Sequence, residues 1–352
     1  MKNQLTKVMV IGLVALSVWN CKTSDPEPTP YESGVFILNS GNFSSNNGTV
    51  SFLSRNSNTV ATNIFQSANP SLSLSGGVQG YTEVNGKGLI LVDNSTAGQD
   101  KVEIVESGTF VSRATLKTPD IENPRQVIQA GLNKAYVSCW DVSGDFSKGT
   151  FYKDPGYIAV VDLNTSTVSK KIPAVKGVER MVLAGSEVFV GSTSYSGDKT
   201  LLIIDANTDM VKDKLDFGAT PEPIALDADG KVWILAGKDL ARVNPSSRLV
   251  EKRLTFAAAP GSVTINADKR AFYYTLSGKT YRLPIDATTA SGSQVVARSF
   301  SALGVDPVTK RVYGSQSPLL YTQAGYVLRY EEGGALIDSV KAEIAPTGFY
   351  FR

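Results

Sequence analysis

The chain has 352 residues, 42% of them hydrophobic and 19% charged, with a formal net charge of +2. That composition fits one large globular domain or two small ones and gives no electrostatic footprint for nucleic acid. There is no histidine, which excludes Ser-His and Cys-His catalysis, histidine metal ligation and histidine pH switching together.

At the N-terminus, Lys2 and Lys7 precede the apolar run "VMVIGLVALSVW". The run is too short to span a bilayer comfortably and reads as the core of a secretory signal over residues 1–20. It ends at Cys21, in "NCK". A cysteine there resembles the lipobox of bacterial lipoproteins, with Trp19 and Asn20 in place of the usual small residues. The resemblance implies a lipidated Cys21 as the mature first residue. Residues 21–33, "CKTSDPEPTPYES", then form a polar, proline-bearing tether. Processing leaves Cys139 as the one remaining cysteine, so no internal disulfide is expected.

The domain proper is expected over 34–352. Its first elements are two apolar runs, "GVFILN" from Gly34 and "TVSFL" from Thr49. The polar linker "NSGNFSSNNG" between them is far longer than a hairpin needs. Further along, a unit of about forty residues recurs, reading each time as four short strands. Copies start near Tyr81 ("YTEVNGKGLILVDN"), Val127 ("VIQAGLNKAYVSCWD"), Arg180 ("RMVLAGSEVFVGS"), Pro223 ("PIALDADGKVWILAG"), Ser262 ("SVTINADKRAFYYTL") and Ala302 ("ALGVDPVTKRVYGSQ"). The last run, "TGFYF" from Thr347, has no successor, while the run from Gly34 has no first strand. Pairing the two completes one blade. The expected fold is therefore all-β: a seven-bladed propeller of four-stranded blades, closed by its terminal strands. "DADG" at Asp227 opens like a calcium loop but lacks the later acidic ligands, so a tight turn is expected there.

Antiparallel strands alternate their connections between two faces. Those after the first and third strands are short ("AGLNK", "DADGK", "LNTST", "NPSSR"). Those after the second and fourth are long: 39–48, 66–77, 93–101, 118–124, 140–156, 192–199 and 315–325. Long loops in a compact domain are usually functional. This face carries Phe43, Trp140, Phe146, Phe151, Tyr152, Tyr195 and Tyr321, interleaved with Asn39, Asn42, Asn46, Asn47, Asn94, Ser194 and Gln316. Stiff aromatics among adaptable amides are the pattern of a recognition surface. The channel mouth is expected to be ringed by residues opening each first strand: Gly80, Arg125, Glu179, Glu222, Gly261, Ser301 and Thr347. Of these, Arg125, Glu179 and Glu222 are charged. No GxSxG, P-loop or CxxC motif occurs, and no catalytic or metal-binding residue is assigned.

The repeat resembles the YVTN or YncE-like propellers. With the signal, the tether and the "GVFILNSGNFSSNNGTVSF" start, it is most similar to surface lipoproteins of Gram-negative bacteria that capture cobalamin, the BtuG-type propellers. That resemblance covers the chain after residue 33. It implies an outer-membrane, cell-surface protein, held to the membrane by its lipid alone, that collects cobalamin or another corrinoid for a TonB-dependent transporter. Without histidine, the chain cannot offer imidazole to cobalt, so a corrinoid must be held by its periphery. Two other readings fit the same face: a glycan or peptide site, and a protein-interaction platform without a small ligand.

Overall fold

A computed structural model describes residues 29–144 and 152–352. Cys21, Phe146 and Phe151 lie outside the described residues. Seven four-stranded antiparallel sheets form the expected propeller. Blade I joins the chain ends: Pro346–Phe351 is its inner strand, followed outward by Gly34–Asn39, Thr49–Ser54 and Val60–Ala61. Blades II to VII then follow in chain order over 77–117, 124–173, 178–216, 221–255, 263–296 and 303–344.

The strand period of two explains how the ring holds together. Along Gly34–Asn39, Phe36 and Leu38 point into a cluster shared with blade II, while Val35 and Ile37 point into one shared with blade VII. Each remaining pair of neighbours shares a cluster of its own. The core is thus a ring of inter-blade layers, and every blade is buried on both faces. This is why second strands such as "GLILVD" read as continuous apolar runs.

Closure rests on more than the Phe36–Tyr350 strand register. Arg55 of blade I makes a buried two-pronged contact with Asp306 of blade VII, at 2.7 and 3.1 Å. Glu343 of blade VII accepts from Thr49 Oγ1, Ser51 Oγ and the Asn63 backbone N–H of blade I.

Several short turns are built by an Asp or Asn at their head. Asp227 Oδ1 accepts the N–H groups of Asp229 and Lys231, and Oδ2 accepts from Trp233 Nε1 and Arg242 Nε. Its lone pairs are used within the protein, so "DADG" is a hairpin turn. Burial opposes ionisation of Asp227, but these donors outweigh it and hold the carboxyl below its ordinary value. One long connection departs from expectation. Residues 66–77 do not all join the long-loop face: the short helix α1 (Ile64–Ala68) buries Ile64 and Phe65, and Asn69 Nδ2 then reaches the Phe110 carbonyl in a short turn of blade II. Blade I has only a two-residue outer strand, and α1 covers the edge that this leaves.

Candidate functional site at the channel mouth

Register shifts in the inner strands shape the mouth. In blade II the shift makes Gln79 the extra residue, because Val78 pairs Val92 and Gly80 pairs Leu91. In blade III, Arg125 is extra between the Pro124–Cys139 and Gln126–Ser138 pairs. In blade IV, Glu179 and Arg180 both oppose Gly191. A bulge re-aims a side chain that regular pairing would send into a blade interface. All four of these side chains line one cavity of about 490 Å³ on the long-loop side of the channel. Gly191 has no substitute here, since a Cβ would lie 2.0 Å from the Pro221 carbonyl oxygen.

Arg125 organises the charged side of the mouth. Its Nη1 is 3.0 Å from Asp93 Oδ2 in blade II, and its Nε is 3.5 Å from Glu179 Oε2 in blade IV. The guanidinium also stacks 3.9 Å from the Trp140 ring centroid. Trp140 Nε1 donates to Glu179 Oε2 at 2.9 Å, and the Tyr152 ring meets Trp140 edge-on at 5.0 Å. The Tyr152 hydroxyl is 2.9 Å from Thr193 Oγ1. Three blades are joined by this cluster. Next to it, Arg180 pairs with Glu222 of blade V at 2.8 Å.

The electrostatics follow from one cation facing two carboxylates. Asp93 is 6% exposed. Burial pushes its carboxyl up to about 6, against the pull of Arg125, with Asp100 and Glu179 adding to the rise. Glu179 is also raised, by burial first, although Arg125, Arg180 and the Trp140 indole oppose it. Its side chain keeps about a quarter of its surface, but that surface faces the channel mouth rather than open solvent. Asp93 Oδ1 and Arg125 Nε are buried and have no hydrogen-bond partner among the described residues.

The opposite arc of the mouth is uncharged. Blades VI, VII and I contribute Ser262, Ser301, Thr347 and Ser40, with Ser40 and Thr347 hydroxyls in contact at 2.5 Å. The mouth therefore has a charged arc on blades II–V and a hydroxyl arc on the rest.

Of the expected site residues, Arg125, Trp140, Tyr152 and Glu179 come together, and Glu222 stands beside them on Arg180. Gly80, Ser301 and Thr347 line the cavity as expected; in blade VI, Ser262 lines it in place of Gly261. Asn39 is not on the face: it is fully buried, with Nδ2 donating to Ser51 Oγ at 3.0 Å. The other amides mostly hold loops. Asn42 Oδ1 caps the Ser45 N–H, and Asn47 Oδ1 accepts the Asn42 N–H. Asn46 joins blades I and II, with Oδ1 accepting the Ser95 N–H and Nδ2 donating to Ser95 Oγ. Asn94 accepts the Thr96 N–H and donates to the Ser75 carbonyl. The asparagine-rich linker is long because it builds a wall and fastens it to its neighbour. Phe43, Tyr195 and Tyr321 remain exposed on separate loops. Asp93, Arg180, Gln79 and Thr193 were not anticipated. The bulges that aim two of them have no signal in local composition. Among the described residues no group of three or more His, Cys, Asp or Glu is gathered as a metal site.

The fold is shared with known structures. A quinoprotein alcohol dehydrogenase-like protein from Bacteroides thetaiotaomicron superposes with a TM-score of 0.69 at 15% identity, over 91% of this chain and 78% of that one. Hydrazine synthase from Kuenenia stuttgartiensis gives a TM-score of 0.49 at 12% identity, over 64% and 67%. At these identities the likeness to the first concerns the fold alone, and the second carries no argument. No curated protein matches the chain in sequence. A family model does match, over residues 33–331, and the chain belongs to that family, described as Domain of unknown function (DUF5074).

Proposed function

We propose that this propeller is a lipid-anchored binding protein of the outer-membrane surface that captures a ligand across its long-loop channel mouth, and that the ligand is a corrinoid destined for a TonB-dependent transporter. The observation that carries the binding reading is the Arg125 cluster. Two inner-strand bulges and a long loop bring a cation, two carboxylates and a half-buried indole together at the mouth of a cavity. Buried charge held this way costs stability and is commonly kept for function.

Two features support a corrinoid. Its rim of carboxamides offers donors to Glu179 and Asp93 and acceptors to Arg125, Arg180 and the hydroxyl arc. The half-buried Trp140, backed by the buried Tyr152 ring, offers apolar surface to its nucleotide base. The cavity of about 490 Å³ is too small to enclose a whole corrinoid, so the ligand lies over the mouth and is held at its edge by several blades. The anchor reading rests on Lys2, Lys7, the apolar run and Cys21.

A second reading, a protein-interaction platform, is favoured by one loop of blade VII. Leu319 and Leu320 are 93% and 80% exposed, and Leu320 and Tyr321 hold left-handed backbone at φ 73° and 50°. Such conformations cost free energy in non-glycine residues, and an exposed apolar knob held this way suits contact with a partner.

Mixing the protein with cyanocobalamin and desalting tests the ligand. Co-eluting pink chromophore is expected; a colourless protein fraction removes the corrinoid and leaves a glycan or peptide site or the platform. The anchor is tested by Cys21→Ser, which should move the protein out of the membrane fraction. Continued sedimentation in high salt would mean another cause of attachment.

A further inference from the structure

We propose that the short-turn face, opposite the ligand mouth, is a docking surface for a lipid bilayer, seated by the aliphatic tips Leu132, Met210, Leu249, Val308 and Leu336. The proposal rests on the anchor reading above, and it adds which way the disc faces.

The first argument is where the chain leaves the fold. Thr29 packs against Gly108 in a short turn of blade II. Tyr31 donates its N–H to the Gly108 carbonyl, accepts from Arg352 Nη1, and packs edge-on against Phe52 and Phe110. Gly34 then starts its strand at the short-turn face. The N-terminal segment is therefore fastened to that face before it enters the propeller. Only seven residues lie between Cys21 and Thr29, so the eight steps from one to the other reach roughly 25–30 Å when fully extended.

The second argument is the spread of exposed aliphatic side chains around the short-turn face. On the short-turn face they are aliphatic and stand singly at turns of blades III, IV, V and VII, from 58% exposed at Leu336 to 75% at Leu132. Scattered exposed aliphatics need no explanation alone. Here five of them share a face with the chain exit, while the other face carries the exposed aromatics Phe43, Tyr195 and Tyr321 together with the aliphatic knob Leu319–Leu320. The third argument is charge. Several cations between the tips are already paired: Lys134 with Asp209, Arg248 with Glu187, Lys231 with Glu251, and Arg242 with Asp227 and Asp229. Such a face has little to gain from anionic lipid, so it seats on neutral bilayers with weak salt dependence. The ligand mouth then points outward in the capture state. Delivery to a transporter in the same membrane requires the disc to leave this seat and turn on its tether.

The test uses the full lipidated chain in phosphatidylcholine vesicles. Cys139 is buried, and burial pushes its thiol up to about 12, so introduced surface cysteines label selectively. Single variants Leu132→Cys, Leu249→Cys and Val308→Cys on one face, and Phe43→Cys and Leu319→Cys on the other, carry an environment-sensitive fluorophore. The first three should shift to the blue and be quenched by nitroxide lipid, at 50 mM and 500 mM salt alike, and the last two should not. A reversed or equal pattern, or no shift in vesicle-bound protein, overturns the seat alone. Failure to bind vesicles at all overturns the anchor and the seat together.

Discussion

The guanidinium of Arg125 stacks 3.9 Å from the centroid of the Trp140 ring while both side chains engage the same carboxylate oxygen, Glu179 Oε2. Arg125 thus orients the indole and the acid together, and neither contact can be replaced by charge alone. Lysine at this position keeps the charge but loses the planar stack and the fork of donors. Arg125→Lys is expected to lower stability modestly, and Arg125→Ala by about 3 kcal/mol or more, because Asp93 and Glu179 are left without their cation. Urea denaturation of the two variants at neutral pH measures the difference; equal midpoints with wild type would mean that the cluster carries no structural load.

The Asp93 carboxyl gives the mouth a pH dependence. Its value in the folded chain is pushed from 3.8 to about 6, so the proton is held more tightly folded than unfolded. The protonated group therefore favours the fold below about 4, and this contribution fades as pH rises through about 6. Two pKa units correspond to about 3 kcal/mol at most. Asp93→Asn should flatten the pH profile of stability between about 4 and 6, read from denaturation midpoints. An unchanged profile would show that Asp93 is ionised throughout that range.

Ring closure is the weakest covalent point of the fold, because no peptide bond joins the inner strand of blade I, Pro346–Phe351, to its second strand, Gly34–Asn39. Asp306 is fully buried against Arg55, and Asp306→Ala leaves that cation buried alone. A loss of about 3–5 kcal/mol is expected, seen in urea or thermal denaturation. Deleting residues 347–352 should go further, exposing strand edges that oligomerise. A monomeric truncation with an unchanged melting temperature would contradict the closure argument.

Most of the fold was legible because blades are repeated: strand runs recur at fixed spacing, and two orphan strands imply a shared blade. Turn chemistry was legible in part, since an Asp or Asn heading several short turns, such as Asp227 or Asn266, accepts the turn's own N–H groups. The site was legible only in part. Arg125, Glu179 and Trp140 could be placed at the mouth by strand order, but their convergence depends on bulges, and a one-residue shift leaves no trace in composition or period. Asn39 misled for a related reason. It opens a polar run yet ends a buried strand, where its amide turns inward to Ser51. The remaining asparagines looked like ligand contacts because an amide that fastens a loop and one that grips a ligand are the same residue in sequence.

The central claim, that the long-loop mouth captures a ligand, is tested most directly by calorimetric titration with cyanocobalamin of wild type, Trp140→Ala, Asn46→Ala and Asp229→Ala. Trp140 is part of the mouth, Asn46 fastens a loop beside it, and Asp229 lies in a short turn on the opposite face. Removing an interface aromatic commonly costs about 2 kcal/mol or more, so Trp140→Ala should weaken binding tenfold or more, at about 1.4 kcal/mol per decade. Asn46→Ala should weaken it less, and Asp229→Ala should leave it unchanged. No binding heat with wild type, or a loss confined to Asp229→Ala, would contradict the account.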